Sequence, residues 1–371
     1  MACNVTLDAL AGLRLPASAP VLREHVVPEA DRTADYLAKY DRHTLIYDAL
    51  HDPACGTVTL VAPRLLNLWP LLRRGLRLDG KPVRRLRRRV FPKCEIVTFR
   101  AGSGPLPLSV AGIPGSLVPR CAPTAAFAGT NAVVTMSRNN PLDWITDWLR
   151  FHVRAQHVET LVFYDNGSDA YGMPALADAV SAVAGLRAAY LVSVPFPYGP
   201  VLGGGAARVK PNFMQTAMLN HARLGPLGRA RAVLNADIDE LIQPMGHTVV
   251  FDAACAAWHG TVNIGGEFVF PHPPGTMPVP QKAHVARAVP PAVSTRKWCA
   301  TPRGVLSRMG WFVHQVGGEP FKLVPESRAF RLVHCRAANP NWATGHAAAS
   351  PATVRVDPAL REMMDTYLHD E

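Results

Sequence analysis

No stretch of the 371 residues reaches the ~20 continuous apolar positions that a membrane-spanning helix needs. The seven cysteines (Cys3, Cys55, Cys94, Cys121, Cys255, Cys299, Cys335) are scattered, odd in number and without a C-x-x-C pair. That pattern argues against a zinc site and fits reduced thiols in a cytosolic compartment. The opening residues carry Asp8 within their apolar part and have no basic leader region, so no signal peptide is expected. Repeats and low-complexity tracts are missing too. At 48% hydrophobic residues the chain is globular and long enough for one large or two modest domains.

Acids are the scarcer charge: 28 Asp and Glu against 39 Lys and Arg leave a net +11. The excess is concentrated. Between Arg73 and Lys93 ten cations face one acid, Asp79, a local balance of +9. A solvated basic face, a contact with anionic lipid head groups and an anionic polysaccharide acceptor all fit such a run. Nucleic acid fits less well, because aromatic residues for base stacking are not interleaved through it.

What is present centres on Ala232–Ile242, where the apolar run Ala232, Val233, Leu234 ends in Asp237, Ile238, Asp239 and Glu240. Alternation in an extended strand puts Asp237 and Asp239 on the same side. Two carboxylates that close repel unless a cation lies between them, and hard oxygen ligands suit Mg²⁺ or Mn²⁺. A D-x-D triplet alone can equally be an acidic strand end meeting water, so its surroundings decide.

Asn131–Met136 reads as a buried strand running into Ser137-Arg138-Asn139-Asn140-Pro141 and then a helix. Asn140 suits its N-cap, Pro141 its first position and Asp143 its first turn. Ile145, Trp148, Leu149 and His152 recur at helical spacing. A second strand, Val158–Tyr164, ends in Asp165-Asn166-Gly167-Ser168-Asp169. A helix over about 173–183, a strand over 186–194 and a helix over about 211–224 lead to the D-x-D strand. Strands alternating with helices argue for an α/β fold with a mostly parallel sheet flanked by helices. Ligands then sit beyond the carboxyl ends of the strands, where all three polar clusters fall.

These motifs resemble the nucleotide-sugar-binding half of a GT-A glycosyltransferase, of the bacterial family-2-like and family-92-like kind. Arg138-Asn139-Asn140 stands for the K-N-E motif, with Asn140 where Glu is usual. Asp147-Trp148 stands for E-W, with Asp in place of Glu. Tyr164-Asp165-Asn166-Gly167-Ser168-Asp169 matches Y-D-N-x-S-x-D, and Asp237-Ile238-Asp239-Glu240-Leu241 matches D-x-D-E-F with Leu for Phe. The resemblance covers 131–242 well and continues loosely to about Trp342.

It implies a glycosyltransferase that moves a sugar, in polysaccharide biosynthesis for example, from a nucleotide donor, UDP-sugar by resemblance, to a glycan or lipid-linked acceptor. It implies that Arg138, Asn139, Asp165 and Asn166 contact the donor nucleotide, and that Asp239 binds Mn²⁺ or Mg²⁺ while Asp237 binds metal, ribose or both. A late histidine is expected to complete the metal site. His314, after Lys297, Trp298 and Pro302, is the preferred ligand. His334, with Asn341-Trp342 after it, is the alternative. Lys297 could pair with the diphosphate.

Inversion at the sugar needs a base, and Glu267, preceded by Gly265 and Gly266, is the candidate because two glycines permit close approach of a substrate. The expected organisation is an N-terminal flanking domain over 1–130, with strands at Thr44–Tyr47 and Thr57–Val61 and a first ~30 residues without periodicity. The GT-A-like domain spans 131–345 and a tail 346–371. The expected location is cytoplasmic, peripheral at the inner face of the membrane through Arg73–Lys93. A nucleotidyltransferase, or a non-catalytic basic binding module on the same fold, are the rival readings. The first would want a Gly-rich basic loop after its first strand, which Ser137–Asn140 is not.

Overall fold

Apolar runs bounded by polar turn residues pair side by side to make the central sheet. The computed structural model describes residues 3–102, 104, 106–202, 209–275, 279–318, 324–336 and 353–369. The chain forms two compact units, one of residues 1–8, 125–193 and 227–371, the other of residues 9–124 and 194–226.

The first unit holds an 11-stranded sheet. Its strands are β1 (Asn4–Ala9), β2 (Asn131–Ser137), β3 (Thr160–Asp165), β4 (Ala188–Ser193), β5 (Ala232–Asn235), β6 (Glu240–Pro244), β7 (Thr261–Phe270), β8 (Ala286–Ala288), β9 (Val293–Ala300), β10 (Phe330–Cys335) and β11 (Val354–Val356). They run in the order β1-β4-β3-β2-β5-β9-β7-β8-β11, with β10 pairing both β6 and β7. The block β4-β3-β2-β5 is parallel throughout. Beyond β5 the sheet turns antiparallel, except that β10 lies parallel to β7. Helices α1 (Leu142–Gln156), α2 (Met173–Ser181), α3 (Val250–Ala256) and α4 (Pro358–Tyr367) flank it. The architecture is α/β, as the alternation of elements predicts.

Sequence and structure part company at element ends. Pro141, not Asn140, occupies the N-cap of α1, with no side-chain cap; Asn140 Nδ2 instead donates to Ser137 Oγ at 2.7 Å. The opening stretch without periodicity supplies β1, where Asn4 N–H donates to the Arg187 carbonyl at 2.9 Å. The helix Met214–Leu224, read as a crossover of the central sheet, packs in the other unit against the strands Thr57–Pro63 and Cys94–Arg100. Amphipathic spacing shows that a helix has a buried face but not which sheet covers it.

The second unit is built on an antiparallel sheet in the order Asp48–Asp52, Thr57–Pro63, Cys94–Arg100, Arg87–Val90. Its core holds Leu45, Leu60, Leu65, Leu72 and Val97, all fully buried. Under the helix lies a charged knot. Asp48 Oδ2 accepts from Arg120 Nε and Nη2 at 3.1 and 3.0 Å, and His221 Nε2 lies 2.8 Å from the same oxygen. Burial pushes the Asp48 carboxyl up, but His221 and Arg120 outweigh it and hold it below its usual range. A depressed carboxyl contributes stability that is present above the unfolded value, near ~4, and is lost as pH falls through the folded one. We expect Asp48→Asn to cost about 3 kcal/mol, since it leaves Arg120 without its buried counter-charge. Urea denaturation of both proteins from neutral to acid pH checks this: the gap should close as the native protein is acidified.

Candidate active site

The D-x-D lies one step further along the chain than strand alternation predicts. β5 ends at Asn235 and β6 begins at Glu240, so Asp237, Ile238 and Asp239 form the turn between them. Glu240 closes that turn. Its N–H donates to the Asp237 carbonyl at 3.0 Å, and its Oε2 accepts from the Asp237 N–H at 2.8 Å. Three carboxylates thereby crowd into four residues, and such a cluster folds only with compensating charge.

Lys297 supplies that charge, and His334 flanks the turn beside it. Lys297, on β9 and fully buried, sets its Nζ 2.6 Å from Asp237 Oδ2 and 3.0 Å from Glu240 Oε2. His334, on β10 opposite Glu240 in register, sets Nε2 3.3 Å from Asp239 Oδ2. Its Nδ1 lies 2.8 Å from Ser294 Oγ and 3.6 Å from Glu240 Oε1. The imidazole packs on Phe268, ring centroids 4.5 Å apart, and Arg336 lies over the Phe268 ring at 4.7 Å.

Burial would pull the Lys297 ammonium down, but Asp237 and Glu240 outweigh it and hold it above its usual range. Burial likewise lowers His334, and Asp239 more than restores it. Burial pushes the Glu240 carboxyl up to about 7, with Lys297 opposing and Asp237 adding to the rise. For Asp239, burial is outweighed by the neighbouring His334, and the carboxyl stays below its usual range.

The remaining polar clusters gather on the same sheet edge. β3, β2 and β5 are parallel neighbours, so Ser137–Asn140, Asp165–Asp169 and the D-x-D turn all follow carboxyl ends. Asp165 is nearly buried and accepts from Ser168 N–H at 2.9 Å and Ser168 Oγ at 2.5 Å. Asn139 takes a left-handed φ of 56°, which asparagine tolerates, and binds Ser168 and Asp169 across the edge. Asn166 N–H donates to the Ser137 carbonyl at 2.9 Å. Arg138 is exposed at the end of β2.

The other expected residues have partners of their own. His314 is exposed in a short hairpin, its Nδ1 3.1 Å from the Arg296 carbonyl, and the Val313 carbonyl before it accepts from Asn235 Nδ2 at 2.9 Å; His334 abuts the D-x-D turn through Asp239. Glu267 is ion-paired with Arg287, which also holds Asp357, and its carboxylate is thereby engaged. The glycines before it serve the backbone: a Cβ on Gly266 would collide with the Leu332 carbonyl of β10, and one on Gly265 with the Glu326 carboxylate. Lys297, expected at a diphosphate, forms the internal pair described. Asp147 bonds Arg150 at 3.2 Å. Asn341-Trp342 lie outside the described residues. Sequence reading missed Glu240 as the turn's clamp and Ser294 as the partner of His334; the D-x-D-E spacing carried the first signal, and nothing local carried the second.

Does this donor set suit a divalent cation? Among the described residues no group of three or more His, Cys, Asp or Glu is placed to hold a metal ion, so Asp239 and His334 would be a two-residue donor set. Bonds of ~2.1 Å at right angles would put two adjacent ligands of a six-coordinate Mg²⁺ or Mn²⁺ about 3 Å apart, and Asp239 Oδ2 and His334 Nε2 stand 3.3 Å apart. Ser294 at Nδ1 fixes the ring so that Nε2 faces Asp239, the outer contact that metal-bound histidines commonly have. The residues fit a cation that draws its other ligands from water and phosphate oxygens.

No protein-family model matches the chain, and no curated protein does. Among solved structures it is similar to the apo form of WbbM, a bifunctional glycosyltransferase, at 9% identity over 45% of this chain with a TM-score of 0.27. The matched region is 28% of that protein's length. The likeness is faint. The site stands on its own residues.

Removing the internal cation should be costly. We expect Lys297→Met to lose about 3 kcal/mol or more, because Glu240 stays buried, and Asp237 partly buried, without their partner. Adding Glu240→Gln should restore part of the loss. Thermal denaturation of the single and double variants measures it; equal melting temperatures for native and Lys297→Met would contradict the assignment.

Proposed function

We propose that this chain is a metal-dependent glycosyltransferase using a nucleotide-sugar donor, with UDP as the nucleotide and a glycan or lipid-linked hydroxyl as acceptor. The observation that carries the reading is the Asp239–His334 pair beside the D-x-D turn, at the edge where Asp165, Asn166 and Asn139 also gather. Asp239 and His334 would hold Mn²⁺ or Mg²⁺, which at such a site neutralises the diphosphate leaving group. Asp237, held in place by Lys297 and partly exposed, would accept from a ribose hydroxyl. Asp165 and Asn166 supply acceptors and donors for the base and ribose. Ser294 holds the His334 ring, and Glu240 keeps the turn closed. No residue is assigned as base, since the Glu267 carboxylate is taken up by Arg287.

Calorimetric titration with UDP and Mn²⁺ tests this. Asp239→Asn and His334→Ala should each weaken Mn²⁺-dependent binding more than tenfold, about 1.4 kcal/mol, whereas His314→Ala should leave it unchanged. The reading fails if the native protein binds no nucleoside diphosphate, or binds it equally well without metal.

Peripheral attachment to an anionic membrane belongs to the same proposal. Among the described residues no helix is long and apolar enough to cross a bilayer. Arg73, Arg74, Lys81, Arg84, Arg85, Arg87 and Arg89 are exposed, while Arg88 is committed to Glu95 at 2.7 Å and lies over the Trp69 ring at 4.3 Å. Each exposed cation near an anionic surface contributes about 1 kcal/mol. Replacing Arg84, Arg85, Arg87 and Arg89 by Ser, and sparing Arg88, should abolish sedimentation with phosphatidylserine vesicles and leave UDP binding intact. No sedimentation of the native chain would sink the membrane reading.

A further inference from the structure

Among the described residues, β6, the strand that leaves the D-x-D turn, pairs with another strand along one edge, that facing β10. The backbone groups on its other edge find partners in side chains of α1. Trp148 Nε1 donates to the Glu240 carbonyl at 3.1 Å, and Gln156 Nε2 donates to the Ile242 carbonyl at 2.8 Å. Between them the Ile242 N–H points at His152 Nε2, 3.4 Å away. Trp148, His152 and Gln156 stand at i, i+4 and i+8, so they form one stripe along the helix. All three are fully buried.

The stripe is closed at both ends. His152 Nδ1 lies 2.8 Å from the Trp148 carbonyl, which makes Nδ1 the protonated nitrogen and leaves Nε2 to accept. Burial pushes this imidazole down to about 4, so it stays neutral. Gln156 Oε1 accepts from the N–H of Val250, the first residue of α3, at 2.8 Å.

Apolar residues of similar volume would fill this core but leave the backbone groups of Glu240 and Ile242 without these partners, at the full desolvation cost of each. What the polar stripe adds is register. Each contact names one backbone atom of β6, and a strand shifted by a residue would lose all of them at once. Glu240, held by its carbonyl, carries the carboxylate that caps Asp237 and faces Lys297. We propose that Trp148, His152 and Gln156 are positioning residues that fix the D-x-D turn against His334, and so set the separation of Asp239 and His334. The proposal rests on the metal reading above for its functional consequence, and on the hydrogen bonds alone for its structural one.

Two near-isosteric variants test it, Trp148→Phe and Gln156→Met, each removing the polar atoms and keeping bulk. Mn²⁺ affinity is read by electron paramagnetic resonance of free Mn²⁺, amide exchange by mass spectrometry, and folding by the melting temperature. Outer contacts of this kind govern metal affinity by about 10-fold or more, so each variant should raise the Mn²⁺ dissociation constant by that factor. Exchange should quicken across 237–242 while β2, β3 and β4 stay protected. Native Mn²⁺ affinity and native exchange over 237–242 would overturn the proposal, whatever the melting temperature does. Asp239→Asn is the control. If it leaves Mn²⁺ binding untouched, the metal reading falls and the exchange result alone decides the role of the stripe.

Discussion

The buried ammonium of Lys297 is the constraint on which the site depends. Asp237, Asp239 and Glu240 would not share one turn in a folded interior without it. Lys297 reaches Asp237 and Glu240 together, so it holds the start of the turn to its end. Because Lys297 belongs to β9, the same contact ties the turn to the antiparallel half of the sheet. A pair this deeply buried adds little to net stability, yet breaking it is expensive. The site is therefore specified by electrostatics and not merely tolerated by them.

The histidine arrives by another route. β7 pairs with β9 on one side and β10 on the other, with a bulge between Ile264 and Gly266. Gly266 has no side chain to hold the Leu332 carbonyl away, so β10 can close against it. That brings His334 to a residue 95 positions earlier in the chain. The aromatic ring of Phe268 and the hydroxyl of Ser294 then leave the imidazole one orientation.

Much of this was legible in the residue order. Buried strands ending in turn-forming polar residues marked β2, β3, β4 and β5, because short apolar runs and their punctuation are local properties. The gathering of Arg138-Asn139, Asp165-Asn166 and the D-x-D on one edge followed from parallel alternation. Local patterns could not single out His334, since His314 also ends a short apolar run; the pairing of β10 with β6 is what sets His334 beside the turn. Gly265-Gly266 signalled close approach correctly, but what approaches is backbone. The D-x-D alternation failed because β5 stops at Asn235, before the carboxylates begin. His152 read as a member of the apolar face of α1, as its burial bears out, but spacing cannot show that its nitrogens are engaged with β6.

The division of the chain into units has a consequence for its synthesis. The unit that begins at residue 9 has Asp48 and Arg120 in its first segment, but His221 reaches them only with the helix Met214–Leu224. In the same way β1, made well before the rest of its sheet, bonds to residues beside β4. A chain emerging from a ribosome amino end first cannot finish one unit before starting the other. Each carries an unfilled place until the chain has grown past residue 226. The two interleave along the chain, so no single cut divides them, and a fragment ending near residue 130 would hold Asp48 and Arg120 without their third partner.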